Sequence, residues 1–123
     1  MTLKFINVIT KWLRRIFNAV SPDAIFDNIK GLPSKFVETL TAEEVVRYFK
    51  SDDIHNKLQS NDGYIAVAIR RKAEHGYDAV LCIYDTNKNN IVDSRTSAQI
   101  ICAKQFDHDL EAFFGGKDML VLS

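Results

Sequence analysis

The sequence has little cysteine. Cys82 and Cys102 are the only two in 123 residues, and no CxxC motif occurs. Two cysteines without a metal-type spacing or a secretory context predict free thiols buried in a core, so a disulfide scaffold is not expected. Recurrent charges interrupt the first twenty residues, which therefore lack the apolar region of a signal peptide. We accordingly expect a reducing, cytoplasmic location.

Long apolar runs, net charge and glycine motifs are also missing. No stretch approaches the roughly 18 apolar residues that a membrane-spanning helix needs. Sixteen basic and sixteen acidic side chains cancel, which makes nucleic acid an unfavoured partner. The five glycines form no GxGxxG, GxxxxGK[ST] or GxSxG motif, so a nucleotide-dependent enzyme is not indicated. We expect no cofactor and no bound metal.

The composition is that of one globular domain. Apolar residues make up 46% and charged residues 26% of the chain, both close to globular averages. We expect a single α+β domain over residues 1–123. The pattern predicts about three to four N-terminal helices, followed by a small, mostly antiparallel sheet in two-layer packing. Its strands would form a three-strand meander, then a helix and a final strand.

Residues 1–20 show the clearest helical period, with a broad apolar side that includes Trp12. The basic face of this helix is formed by Lys4, Lys11, Arg14 and Arg15. In the structural interpretation, the apolar side of this helix packs on the rest of the domain. Detachment would allow a homodimer through residues 1–20 or peripheral membrane contact, because basic amphipathic helices bind anionic surfaces.

After residue 63 the spacing of the apolar residues changes from the 3.6-residue period of a helix to the 2-residue period of a strand. Helices are predicted near Ile25–Ile29, after the capping box Thr41–Glu44, and after Ser51–Asp53, with a turn or helix at Phe36–Leu40. Strands are predicted at Tyr64–Lys72 and Tyr77–Tyr84 as a hairpin, at Ile91–Asp93 and at Met119–Leu122. Residues 96–115 are predicted as a helix, although 97–104 could equally be a strand.

Potential ligands and catalytic groups have simpler interpretations. The Asp85–Asp93 loop alternates oxygen ligands, but Asn-rich turns do the same. His108 and Glu111 share a helical face without the further ligands that zinc needs. His55 and His75 are interpreted as solvated histidines. The sequence therefore predicts no catalytic residue and no metal ligand.

Charged clusters are the remaining candidate sites. The partner-binding acids would be Asp52, Asp53, Asp107, Asp109 and Glu111, and a basic strand end is formed by Arg70, Arg71 and Lys72. Local acid can complement a basic protein partner, whereas a basic patch beside aromatic residues can bind phosphate.

These features favour a small non-catalytic protein-binding module. We expect the inhibitor or immunity type, as in bacterial toxin–antitoxin systems, in which the module neutralises a partner protein. Two alternatives stay open. One is a small metal- or histidine-dependent hydrolase or nuclease, and the other is a membrane-surface or nucleic-acid-associated module that uses the basic N-terminal helix.

Overall fold

The computed structural model of the protein describes residues 5–6, 25–27 and 29–122. The strands are β1 (Phe5–Ile6), β2 (Ser34–Leu40), β3 (Tyr64–Ala73), β4 (Gly76–Asp85), β5 (Asn90–Ile91), β6 (Gln99–Phe106) and β7 (Met119–Leu122). The helices are α1 (Ala42–Lys50), α2 (Asp52–Gln59), α3 (Ser94–Ser97) and α4 (His108–Phe114). A helical turn covers residues 25–27.

The strands form one mixed sheet in the order β1-β7-β3-β4-β6-β2, and β5 pairs with β4 beside this path. β3 and β4 are antiparallel from Tyr64 opposite Asp85 to Ala73 opposite Gly76, so the predicted hairpin is confirmed. β2 lies at one end of the order and runs parallel to β6. The hairpin thus occupies the middle of the sheet.

The predicted order, with the helices first and the sheet after them, is wrong, because helices α1 to α4 all follow strand β2. The sheet itself is mostly antiparallel, as predicted, since only β2 and β6 pair in parallel among the described strands. Ser34–Leu40, expected as a turn or helix, is strand β2, and Gln99–Phe106, expected as a helix, is strand β6. The helices are therefore interspersed among the strands, and α1 follows β2. The predicted helices after Thr41 and Ser51 are present as α1 and α2.

The apolar residues of segment 99–106 fit both the 3.6-residue period of a helix and the 2-residue period of a strand. This ambiguity explains why the segment was predicted as a helix. Ile101 and Ala103 are buried on one face of β6, and Ile100 and Cys102 lie partly buried on the other. A short run that is apolar on both sides cannot be told from a buried helix by periodicity. Backbone pairing with both β4 and β2 makes this run a strand.

Both faces of the sheet are covered, so the predicted two-layer packing is also wrong. Helices α1, α2 and α4 contribute Val45, Phe49, Ile54, Leu110 and Phe114 to the core on one face. The other face packs against Ile25, Phe26 and Ile29. A strand buried on both faces is apolar throughout, as the fully buried stretch from Ala66 to Ile69 shows.

The predicted helix over residues 1–20 is contradicted at two positions. Phe5 pairs with Leu122 and Ile6 with Val121, which makes this segment an antiparallel strand on β7. The rest of that helix lies outside the described residues, including its basic face of Lys4, Lys11, Arg14 and Arg15. Within the described part of the chain, no helix is long and apolar enough to cross a bilayer.

Candidate functional site

Three side chains with metal-binding chemistry meet near the β3–β4 turn, where β4 begins. Asp78 on β4 lies directly opposite Cys102 on β6, and His75 precedes β4 in the tight turn from β3. His75 Nε2 is 2.9 Å from Asp78 Oδ1. One ligand atom from each of the three residues lies within 4.8 Å of the others.

Gly76 allows β4 to begin this close to β6. Its φ is +136°, which L side chains rarely adopt, and a Cβ there would be 2.2 Å from the Lys104 carbonyl oxygen. Only glycine combines that backbone angle with so close an approach. The glycine thereby fixes the start of β4, two residues before Asp78.

Asp78 contacts the other members of the site and a neighbouring arginine. Its second oxygen, Oδ2, is 3.5 Å from Arg71 Nη2, and the Arg71 guanidinium lies 4.2 Å from the centre of the Phe26 ring. Burial raises the pKa of the Cys102 thiol, a hydrogen bond to Asp78 raises it further, and a hydrogen bond with Ser34 opposes the rise. The thiol is therefore protonated at neutral pH.

This order of contacts is not that of a cysteine hydrolase. Such a site needs the histidine between thiol and carboxylate, so that the base takes the thiol proton. Here the Asp78 carboxylate contacts the imidazole of His75 and also accepts the hydrogen bond of the Cys102 thiol. A thiol with a raised pKa is a weak nucleophile. The three groups are instead an imidazole, a carboxylate and a thiol, which is a ligand set suited to zinc.

The predicted basic strand end does not form one patch. Arg70 is buried on the helix-covered face, Arg71 pairs with Asp78 on the other face, and Lys72 is exposed. Alternation along β3 separates adjacent side chains. A joint phosphate site of these three residues is therefore not supported by the geometry.

Arg70 has a structural environment. Its guanidinium carbon lies 4.6 Å from the centre of the Phe114 ring and 5.5 Å from that of Tyr77. Nη1 is 3.3 Å from Glu111 Oε2, although it makes no hydrogen bond of good geometry. Nε is 3.7 Å from Asp118 Oδ1. The arginine thus joins β3 to α4 and to the residue before β7.

The predicted acidic partner-binding residues divide into two groups. Asp107 caps α4, and Glu111 pairs with Arg70. Asp52, Asp53 and Asp109 are exposed in the first turns of α2 and α4. The carboxylates of the latter three take part in neither that cap nor that ion pair, and their residues are exposed.

Asp107 is expected to stabilise two helices at once. Its Oδ1 accepts hydrogen bonds from the Leu110 N–H at 2.9 Å and from the Ala42 N–H at 3.2 Å. We expect Asp107→Ala to lower the free energy of unfolding by about 1–2 kcal/mol, the usual cost of losing a cap. Asp107→Asn keeps the acceptor and should cost less than half as much in urea denaturation. Equal losses would contradict the capping role.

The other sequence candidates are turn and core residues. Asp85 Oδ1 accepts from the Asn87 and Lys88 N–H groups, as expected of an Asx-type turn. Asp93 pairs with Lys57 at 2.7 Å. Cys82 is fully buried in the core, as predicted, and this burial raises the pKa of its thiol to about 12. His108 is exposed on α4, and His55 is half-buried in α2 rather than in a loop.

A groove lies between α1 and α4, with a volume of about 460 Å³. It is lined by Ala42, Glu43, Val46, Arg47, Lys50 and Phe113. Its wall is almost entirely carbon, because long charged side chains can cover apolar surface with their stems. The groove is open to solvent rather than enclosed.

Sequence reasoning missed the cluster of His75, Asp78 and Cys102. The hairpin prediction could have placed His75, in the turn, close to Asp78 three residues later. Cys102 could not be added, because the segment around it was predicted as a helix. No protein-family model, no curated protein and no solved structure matches this chain. Its function is therefore inferred from the side chains themselves.

Proposed function

We propose that this protein is a non-catalytic protein-binding module that holds an apolar helix of its partner between α1 and α4. The observation that carries the proposal is the open apolar groove around Val46 and Phe113, both half-buried. Enclosed pockets suit small molecules, whereas an open groove of this kind suits the apolar face of an amphipathic helix.

The rim of the groove supports a partner helix that carries acidic residues. Arg47 and Lys50 stand on the last turn of α1. Arg47 pairs with Glu43 at 2.6 Å, and both side chains are largely exposed. An exposed ion pair contributes little to stability, so Arg47 can exchange Glu43 for a partner carboxylate at small cost. Complementary rim charges mainly accelerate association and set specificity.

An inhibitor or immunity-type role is the specific form that we propose for this module. In that role the partner is neutralised by being bound. The exposed carboxylates of Asp52, Asp53 and Asp109 would widen the contact to basic groups of the partner. The two charge types would then lie on different parts of the same helical layer.

Capture from a native extract with charge-reversed variants tests the groove. We expect the unmodified chain and Lys72→Glu to recover the same stoichiometric protein. Lys50→Glu should weaken capture roughly tenfold, as expected for a rim charge. Val46→Asp should abolish capture because it places a carboxylate in the apolar floor. Lys72→Glu is the matched control, since it makes the same charge change on exposed β3 surface.

Two results would overturn the groove proposal. One is a partner that both groove variants bind as well as the unmodified chain does. The other is a partner that only Lys72→Glu loses, which would move the binding surface to β3. Circular dichroism of each variant, with urea denaturation, excludes loss of folding as the cause.

A small metal-dependent hydrolase is the second candidate function. It is favoured by the cluster of His75, Asp78 and Cys102, since three protein ligands leave a coordination position for water. Hydrolysis of ester, phosphodiester and peptide substrates that requires added Zn²⁺ and is lost in His75→Gln would support it. Equal rates in that variant would exclude this site as the catalyst.

A further inference from the structure

We infer that His75, Asp78 and Cys102 form a binding site for Zn²⁺ or a similar transition-metal ion at the end of the sheet. The inference goes beyond the partner-binding groove and does not depend on it. The groove lies between α1 and α4, whereas the cluster belongs to the β3–β4 turn and to β4 and β6.

The donor set selects the class of metal. A thiol and an imidazole favour Zn²⁺ and its neighbours, while Ca²⁺ and Mg²⁺ require oxygen ligands. The set has one nitrogen, one oxygen and one sulfur donor. Zinc sites with three protein ligands take solvent in the fourth, tetrahedral position. The cluster therefore fits an open four-coordinate site.

The distances require only a small adjustment. Zinc–ligand bonds of about 2.0–2.3 Å place tetrahedral ligand atoms roughly 3.3–3.7 Å apart. His75 Nε2 and Asp78 Oδ1 are 2.9 Å apart and would separate by about 0.4 Å to reach that spacing, and all three ligand atoms lie within 4.8 Å of one another. A shift of about 1 Å, within the reach of rotamer changes, would bring Cys102 Sγ to bonding distance.

The surrounding residues hold the ligands in place. Asp78 and Cys102 are opposed on paired strands, so their backbones are fixed relative to each other. Arg71 holds the second Asp78 oxygen, and Ser34 hydrogen-bonds to Cys102. Such neighbours orient ligands in metal sites. His75 is the exposed member of the set, which gives the ion a route from solvent.

Metal binding requires proton movements at two of the ligands. The Cys102 thiol releases its proton to solvent as the sulfur–metal bond forms, and the His75 nitrogen that binds the ion must first give up the proton that it directs at Asp78, either to solvent or to the other ring nitrogen. The hydrogen bond from the thiol to Asp78 and the contact between His75 and Asp78 are then replaced by bonds to the ion. No oxidation or reduction occurs.

Titration of the untagged full chain with Co²⁺ tests the site. We expect a thiolate-to-cobalt charge-transfer band in the near ultraviolet and the strong visible bands of four-coordinate Co²⁺. Added Zn²⁺ should displace the cobalt. Cys102→Ser should remove the charge-transfer band, and His75→Gln should weaken Zn²⁺ binding at least roughly tenfold in competition with a chelator.

Cys82→Ala is the matched control, because Cys82 is fully buried on β4 and outside the cluster. It should leave the band unchanged. Absence of the band in the unmodified chain, or its persistence in Cys102→Ser, would overturn the inference. His75→Gln, at an exposed turn residue, provides a variant that is expected to fold. A failed cobalt titration would leave groove-dependent partner capture intact, so the two proposals fail separately.

Discussion

Replacing Gly76 by alanine is expected to lower the free energy of unfolding by about 3–4 kcal/mol, combining left-handed backbone strain with a backbone clash. The new Cβ would lie 2.2 Å from the Lys104 carbonyl oxygen and 2.5 Å from that of Ala103. Neither atom can move without displacing β6. The expected result in urea denaturation is a large fall in the transition midpoint.

Gly116→Ala distinguishes the cost of backbone strain from the cost of the steric clash. Gly116 has a φ of +83°, but nothing lies within 4 Å of its added Cβ. It should therefore show only the backbone cost of about 1 kcal/mol. Equal losses for the two substitutions would contradict the close approach of β4 to β6. Gly76→Ala should also separate Asp78 from Cys102 and reduce cobalt binding in any protein that still folds.

Arg70→Ala is expected to lower the free energy of unfolding by about 2–4 kcal/mol. The change removes a buried side chain packed against Tyr77, Phe106 and Phe114. It also leaves Glu111 without its 3.3 Å ion pair. The Glu111 side chain is 42% exposed, so water takes over part of that interaction and the loss comes mainly from packing.

Arg70→Met tests whether lost packing or lost charge accounts for the destabilisation. Methionine has similar length and no charge, and buried ions can often be replaced by apolar side chains of similar volume with little loss. We expect it to cost about 1 kcal/mol or less. If Arg70→Met is as destabilising as Arg70→Ala, then attraction of the guanidinium by the rings and carboxylates holds α4 on the sheet. Denaturant titration of both variants decides between these explanations.

The local signals in the sequence gave reliable local structure. The period-2 stretch around Ile65–Ile69 and its partner are the central hairpin, and Thr41 caps α1 by accepting from the Glu44 N–H. These elements are set by neighbours in the chain: alternating side chains, a tight turn and a capping oxygen. Each could be recognised without knowing what packs against it.

Strands β2 and β6 could not be recognised in this way. Ser34–Leu40 is largely exposed, with Phe36 at 61% exposure, and so lacks an apolar alternation. Its strand geometry comes from parallel pairing with β6, residues 34–40 against 100–106. Parallel pairing depends on residues far apart in the chain. The local pattern therefore carried no signal for it.

The candidate sites show the same difference between residues that are neighbours in the sequence and residues that are brought together by the fold. The triplet Arg70–Lys72 is adjacent in sequence but is divided between two faces of β3. Conversely, Asp78 and Cys102 are distant in sequence and opposed in the sheet. The first set was recognised because its residues are adjacent in the sequence, whereas the second was missed because its ligands come from separate strands.

The sequence by itself determined the central hairpin, the helix capped by Thr41, the helix after Ser51, and the burial of Cys82, since propensity, capping and apolar period act over a few residues. Tertiary structure decided that residues 99–106 pair as a strand, that Arg70 is enclosed by aromatic rings, and that Cys102 meets Asp78 and His75. Hydrogen-bond pairing between distant segments outweighs local preference, because each strand needs partners for its backbone N–H and C=O groups.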